Sequence, residues 1–183
     1  MASSSTDRRS VCFSELQNIE EDSLYSAKGH FEACAAAQKV HTYLGLPVAL
    51  IGGVAGVSAF STFTKHDIVA GVLALLAAGL GAVNTFLNSA GKASAHHDFG
   101  NDYLSVRNRA RLCRQVEAAD LSDKSLAERV VKLSAERDQL NKKAPEIPRK
   151  AFERARRGIE EGEATYATEG KADSLADNQE DTQ

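Results

Sequence analysis

Two adjacent histidines, His96 and His97, come nearest to a metal-binding pair in this sequence. Imidazole is a common metal ligand, but neighbouring side chains on a helix point in different directions. One metal ion therefore does not reach both from a single helix, and no C-x-x-C pair is present to complete a site. We predict that the two histidines pack in a helical stalk or lie at an interface, with a metal site as the alternative.

Arginines form the densest cluster of charge, at positions 107, 109, 111 and 114. Arg107, Arg111 and Arg114 share one helix face, since helical neighbours recur every three or four residues. Such a face can bind a phosphate-bearing ligand or an acidic partner. We favour a solvated face with local ion pairs. A second basic stretch, Lys142–Arg157, is expected to be solvent-exposed, with contact to anionic lipid as the alternative.

Catalytic motifs are missing from the sequence. It contains no G-x-S-x-G, P-loop, H-E-x-x-H or glycine-rich dinucleotide loop, so we expect neither an enzyme nor a bound cofactor. The cysteines Cys12, Cys34 and Cys113 are odd in number and widely spaced, which predicts reduced thiols that pack as small apolar residues. The net charge of -3 gives no reason to expect nucleic-acid binding.

Two long runs without Asp, Glu, Lys or Arg occupy the middle of the chain, Thr42–Thr64 and Ile68–Gly91. As helices rising about 1.5 Å per residue, each spans roughly 35 Å, against about 30 Å of bilayer hydrocarbon. The alternative is a pair of buried helices in a water-soluble domain, but the remaining sequence is charged and offers no apolar layer to cover them. We predict transmembrane helices at about residues 44–63 and 68–90, with a break or kink at Gly45–Pro47.

The connection between the two runs is only Lys65-His66-Asp67, so the helices must be antiparallel neighbours. All other lysines and arginines lie on the terminal sides of the runs, and basic residues favour the cytoplasmic side. The sequence therefore predicts an all-α protein built on a membrane-embedded two-helix hairpin, with both termini in the cytoplasm.

Small residues recur in both runs, and small residues let helix backbones approach closely in lipid. The candidate helix-packing positions are Gly52, Gly56, Ala70, Ala74, Ala78 and Ala82. These residues pack the two helices of one hairpin against each other. The alternative is that they also make contacts between copies of the chain. Polar residues in the runs are candidate pore-lining residues, namely Ser58, Thr62, Asn84 and Asn88. No charged residue lies at membrane depth, which disfavours an ion-coupled transporter.

Charged helices are expected to extend the hairpin as an antiparallel, coiled-coil-like cytoplasmic stalk. Apolar positions between Leu24 and His41, and again between Phe99 and Cys113, recur in steps of three and four. The first of these helices is predicted to start near Ser14.

Two further helices are predicted after the stalk. One covers Ser122–Lys143 with Ser122 as its N-cap, and the other covers about Arg149–Glu161. We expect one domain over residues 14–162, between a disordered N-terminus (1–13) and a disordered acidic tail (163–183).

The two runs and their flanks resemble one family. Its recurring features are an aliphatic-proline entry into the first span, a short loop, and a histidine–aromatic–tyrosine pattern after the second span. The residues that carry these features here are Pro47, His96, His97, Phe99 and Tyr103. Over about residues 16–162 the chain is similar to the SLATT family, two-transmembrane effector domains associated with nucleotide-messenger synthase (SMODS) and nucleotide-sensor (SLOG) domains.

The resemblance implies a function in prokaryotic conflict systems, including anti-phage defence. It implies a homo-oligomer that forms a pore or permeabilises the bacterial inner membrane when a partner signals infection. Because the sequence contains no recognisable sensor domain, the trigger would come from a separate sensor or nucleotide-messenger synthase protein. The alternative function is a non-conducting membrane scaffold whose stalk recruits a cytoplasmic partner.

Overall fold

The structure is a computed structural model that describes residues 2–59 and 67–164, with side chains described over residues 8–54 and 71–164. These residues are almost entirely helical and contain no strand, which confirms the all-α prediction. The helices are α1 (Ala2–Ala59), α2 (Asp67–Leu87), α3 (Ser89–Gln115), α4 (Asp123–Lys143) and α5 (Arg149–Glu160), with a 3-10 turn at Glu117–Ala119.

The first helix organises the fold, because every other helix packs against it. With 58 residues, α1 is roughly 87 Å long. α2 packs along its C-terminal part, and α3 returns along its N-terminal part. α4 and α5 also pack on the N-terminal part of α1, together with α3. The chain therefore forms a two-helix arm at one end and a multi-helix bundle at the other.

Of the break or kink expected at Gly45–Pro47, the break is absent, since α1 continues through Pro47. A proline inside a helix removes one backbone hydrogen bond and costs about 3 kcal/mol. Neighbouring positions offset part of that cost by packing on α2, where Val48 lies against Gly81. Tertiary contact therefore keeps the helix intact where the local sequence predicts an interruption.

The N-terminus also differs from the prediction of a disordered segment at residues 1–13, because α1 begins at Ala2 instead of near Ser14. Arg9 forms an ion pair with Asp123 at 2.9 Å and donates hydrogen bonds to the carbonyl oxygens of Leu121 and Ala118. Cys12 is buried in the core. These partners lie more than a hundred residues away, so local composition gave no sign of them.

The core of the bundle lies between α1, α3 and α4. Its largest fully buried apolar side chains include Leu16, Ile19, Val106 and Leu126. The predicted α1–α3 seam is confirmed on α3, where the apolar positions from Tyr103 to Cys113 are buried. On α1, by contrast, the seam ends at Cys34, because Gln38 and His41 are exposed.

The three cysteines are free and buried in the bundle, as predicted. Burial raises the pKa of the Cys34 and Cys113 thiols. Since the thiolate is the reactive form, these residues act as small apolar packing groups near neutral pH.

The helix predicted over Ser122–Lys143 is confirmed as α4. The hydroxyl oxygen of Ser122 caps it by accepting a hydrogen bond from the backbone N–H of Ser125 at 3.2 Å. The last predicted helix is α5, which ends at Glu160. Tyr103 ties α3 to α4 by donating its hydroxyl hydrogen to Asn141 Oδ1 at 2.7 Å.

Candidate functional site

The two-helix end of the molecule exposes its apolar side chains. We call it the apolar arm, defined as residues 40–54 of α1 and 71–87 of α2. No residue of the arm is buried, and Phe86 and Leu75 are 89% and 75% exposed. Its exposed large apolar residues are Val40, Tyr43, Leu46, Leu50, Val54, Val72, Leu75, Leu76, Val83 and Phe86.

Within the described residues, one helical stretch, Gly71–Gln115, is long and apolar enough to cross a membrane, and its apolar window is wholly unburied. The stretch includes the α2 part of the apolar arm and continues through Asn88 into α3 of the bundle. A core helix of a water-soluble domain would have its apolar window covered. Monomeric soluble proteins rarely expose a continuous apolar surface of this kind, so the arm is a candidate surface for contact with a membrane or another protein.

Within the arm, α1 and α2 touch along one narrow stripe. The half-buried residues on this stripe are Leu44, Gly45, Val48 and Ile51 of α1, with Leu73, Ala77, Leu80, Gly81, Asn84 and Leu87 of α2. At its centre, a Cβ placed on Gly81 would lie 3.9 Å from Val48 Cγ1. The remaining circumference of both helices faces outward.

The small residues predicted to pack helices lie outside that stripe. Gly52 is exposed, with no atom within 4 Å of a Cβ placed on it. The small positions 74, 78 and 82 of α2, all alanines, are exposed too. The side chain of Ala70 and the surroundings of Gly56 lie outside the described residues. The described members of this set therefore do not pack α1 against α2.

The pore-lining candidates Asn84 and Asn88 do not lie on one continuous helix, because α2 ends at Leu87. Asn88 has φ 45°, in the left-handed region that asparagine tolerates better than most residues. Asn84 turns toward α1, and its Oδ1 is buried without a hydrogen-bond partner among the described residues. The other two pore-lining candidates, the side chain of Ser58 and the whole of Thr62, lie outside the described residues.

A single residue, Asn88, separates the apolar arm from the bundle. The helix resumes at Ser89, and the Lys92 N–H donates to the Asn88 carbonyl oxygen at 3.0 Å. The Asn88 side chain fills the space left by Gly91, where an added Cβ would lie 2.6 Å from Asn88 Oδ1. α2 and α3 are thus two helices joined by a one-residue break.

Two buried histidines face each other in the bundle, near the arm. His30 of α1 is 1% exposed and His96 of α3 is 7% exposed. Their Nδ1 atoms lie 2.8 Å apart, so one ring donates a hydrogen and the other accepts it. The His30 ring also stacks on Phe99 and Tyr103, with centroid distances of 5.9 and 5.5 Å.

The structure thus brings three family-pattern residues, His96, Phe99 and Tyr103, together around His30. Sequence reasoning missed His30, although it lies three residues after the seam residue Ala27 and so on the same helix face. His97 points away from His96, as predicted, and is exposed. Pro47 lies in the apolar arm, separate from this cluster. Among the described residues, no group of three or more potential metal ligands forms around the pair.

Burial keeps both histidines neutral at physiological pH. It lowers the pKa of His30 to about 4, with a smaller contribution from the neighbouring His96. Burial also lowers the pKa of His96. A proton added to either ring would place a charge in an apolar site and remove the acceptor or the neutral donor of the shared hydrogen bond.

Ion pairs on the surface of the bundle join one helix to another, as predicted for the arginine cluster. Arg109 pairs with Glu136 at 2.6 Å and Arg114 pairs with Glu20 at 2.8 Å. In the second basic stretch, Arg154 pairs with Glu32 at 2.7 Å. These charges bind one helix to another.

Comparison with known proteins does not identify a family for the chain, since no family model, curated protein or solved structure matches it. The SLATT resemblance therefore stays a prediction that depends on the sequence pattern.

Proposed function

We propose that this chain is a membrane protein whose apolar arm spans a bilayer as a two-helix hairpin, at about residues 44–63 and 68–90. The observation that carries the proposal is the uncovered apolar surface of the arm. Burying one large apolar side chain gains about 1.5–3 kcal/mol. In water, the ten exposed apolar side chains of the arm would stay hydrated and lose most of this stabilisation. In a bilayer, lipid acyl chains would bury them.

The bundle is proposed to stay in the cytoplasm with both termini. Its surface carries interhelical ion pairs such as Arg137–Asp22 at 2.8 Å, which suit water and would be costly in hydrocarbon. The basic residues at the bundle end of the arm, including Lys39 and Lys92, favour the cytoplasmic side of a bacterial inner membrane.

We further propose that copies associate in the membrane through the outward small residues and permeabilise it. A two-helix hairpin cannot enclose water alone, so a pore requires several copies. Gly52 and the exposed alanines of α2 offer surfaces for close helix contact that no helix among the described residues uses.

With the SLATT resemblance, this assembly corresponds to a defence effector without enzymatic activity. The activating signal would come from a separate sensor or nucleotide-messenger synthase and reach the membrane through the cytoplasmic bundle. The charged bundle surface, and not the apolar arm, is the part of the chain open to such a partner.

Cysteine labelling tests the topology. The native cysteines are buried, so they compete little with an introduced thiol. A membrane-impermeant maleimide should label a His66→Cys variant in intact spheroplasts, and a Lys124→Cys variant only after lysis. Recovery of the chain in the soluble fraction, or labelling of Lys124→Cys in intact spheroplasts, would contradict the proposal.

Dye leakage from liposomes tests the assembly. Ala74→Leu and Ala78→Leu should reduce both intermolecular cross-linking and leakage at least tenfold, because the larger side chain separates the helices. Val83→Leu is the control, since it enlarges an exposed residue of the same helix that is not one of the small residues. The contrary outcome is that the wild-type chain inserts and cross-links but no trigger makes the liposomes leak. In that case the chain is a non-conducting scaffold and the pore proposal is wrong.

A further inference from the structure

A groove lies where the apolar arm meets the bundle. Its volume is about 290 Å³, and its walls come from α1, the start of α3 and the residue before α5. Three alanines and Val40 of α1 form one side, and Leu87 and Pro148 contribute apolar surface opposite. The groove is therefore continuous with the exposed apolar surface of the arm.

Lys92 lines this groove, and none of its described lining residues is acidic. Arg149 and Lys150 follow Pro148 in sequence, and Arg149 pairs with Glu153 at 2.8 Å. Lys92 and Lys150 are exposed and have no ion pair within the described residues. The arginines farther along the bundle differ, since Arg109 and Arg114 are each paired with a glutamate of another helix.

The position of Lys92 matches the headgroup level of a membrane that covers the arm. It lies five positions beyond Leu87, the last residue of α2, which is about 7.5 Å along a helix. A lysine stem can also lie along apolar surface while its ammonium group stays in the polar layer. An apolar groove at the lipid boundary, with the unpaired Lys92 in its wall and the unpaired Lys150 two residues after the lining residue Pro148, fits a molecule that has an acyl chain and a negative headgroup.

We propose that this groove binds one anionic phospholipid, with part of an acyl chain against Val40, Leu87 and Pro148 and the phosphate near Lys92 and Lys150. The groove volume of about 290 Å³ is just below the range for small-molecule sites, about 300–1,000 Å³, so the groove takes a segment of a chain and not a whole lipid. A nucleotide fits less well, because the walls are apolar and offer few hydrogen-bond donors. The site depends on the proposed membrane insertion, and not on pore formation.

Native mass spectrometry of the full chain in detergent micelles tests the site, with phosphatidylglycerol and phosphatidylcholine as probes. The wild-type chain should retain phosphatidylglycerol at least fivefold more tightly than phosphatidylcholine. Lys92→Gln should weaken phosphatidylglycerol binding about fivefold, the effect expected for one basic residue at an anionic surface, and adding Lys150→Gln should weaken it further. Lys132→Gln, an exposed lysine of α4, is the matched control and should change nothing.

Three outcomes would overturn the site. The first is equal retention of the two lipids, and the second is an equal loss from Lys132→Gln. The third is a disulfide between Ala37→Cys chains of two copies, which would show that a second copy fills the groove. Each of these leaves membrane insertion standing if the chain still fractionates with membranes. A wild-type chain found in the soluble fraction would remove both proposals.

Discussion

The two ends of α1 have the same helical geometry and opposite surroundings. In residues 8–37, positions such as Leu16, Ile19 and Ala27 are completely buried against other helices. In residues 38–54, no position is buried although the sequence is more apolar. Hydrophobicity alone therefore does not identify the core of this protein. Burial by its own chain requires a second and third helix around α1, and the apolar arm has only α2.

Buried polar groups do not follow the same division. In the bundle, His30 and His96 share a hydrogen bond, but the hydroxyl oxygen of the fully buried Ser23 has no hydrogen-bond partner among the described residues. In the apolar arm, Asn84 Oδ1 also has no partner among the described residues. The contrast between the two ends of α1 therefore concerns the burial of apolar side chains and not the pairing of polar ones.

The largest predicted effect uses the same substitution in both regions. Leu126→Ala removes a fully buried core side chain and should lower the free energy of unfolding by about 3 kcal/mol. Leu75→Ala removes a side chain that is 75% exposed and should cost less than about 0.5 kcal/mol. Denaturant unfolding of the full chain in detergent micelles, followed by circular dichroism, measures both.

A large loss from Leu75→Ala would break the contrast between arm and bundle. It would mean that another copy already buries Leu75 in micelles. Repeating the measurement at several protein concentrations separates this case, because a contact between copies makes stability concentration-dependent.

The second prediction concerns the pH dependence of the bundle. His30 stays neutral in the folded chain down to its lowered pKa of about 4, while an unfolded histidine takes up a proton near pH 6.5. Between these values the unfolded state binds more protons, so stability should fall as pH decreases from about 6.5 toward 4. The expected loss is on the order of 2 kcal/mol, and no change is expected above pH 7.5.

Paired variants assign this pH dependence to the buried histidines. The double variant His30→Asn with His96→Asn should flatten the slope between pH 7 and pH 5.5. His97→Asn should keep it, since His97 is exposed. Equal slopes in all three proteins would show that groups outside the pair control the acid sensitivity of the bundle.

Sequence reasoning predicted best what depends on local pattern. The N-cap at Ser122, the α3 side of the seam from Tyr103 to Cys113, and the long uncharged runs are each encoded within a few turns of helix. The start of α1 was predicted wrongly because Arg9 and Cys12 are fixed by residues near positions 118–126, far along the chain.

The candidate site was predicted only in part for a related reason. His96, Phe99 and Tyr103 are recognisable from their spacing, but the residue that unites them, His30, is a lone histidine in an ordinary seam. Asn88 is similar, since one asparagine inside an apolar run gives no warning of a helix break. Both depend on what the facing helix offers at that depth, and a single sequence does not contain that information.

The smallest predicted effect tests the boundary between the two regions. Asn88 holds a left-handed conformation that glycine adopts freely and that alanine adopts only with strain. Asn88→Ala should therefore lower the free energy of unfolding by about 1 kcal/mol, and Asn88→Gly should stay within about 0.5 kcal/mol of wild type. Thermal unfolding in micelles measures both. If Asn88→Ala instead stabilises the chain, α2 and α3 prefer to join as one straight helix. The break would then be a strained element, and the apolar arm and the bundle would be two parts of one continuous rod.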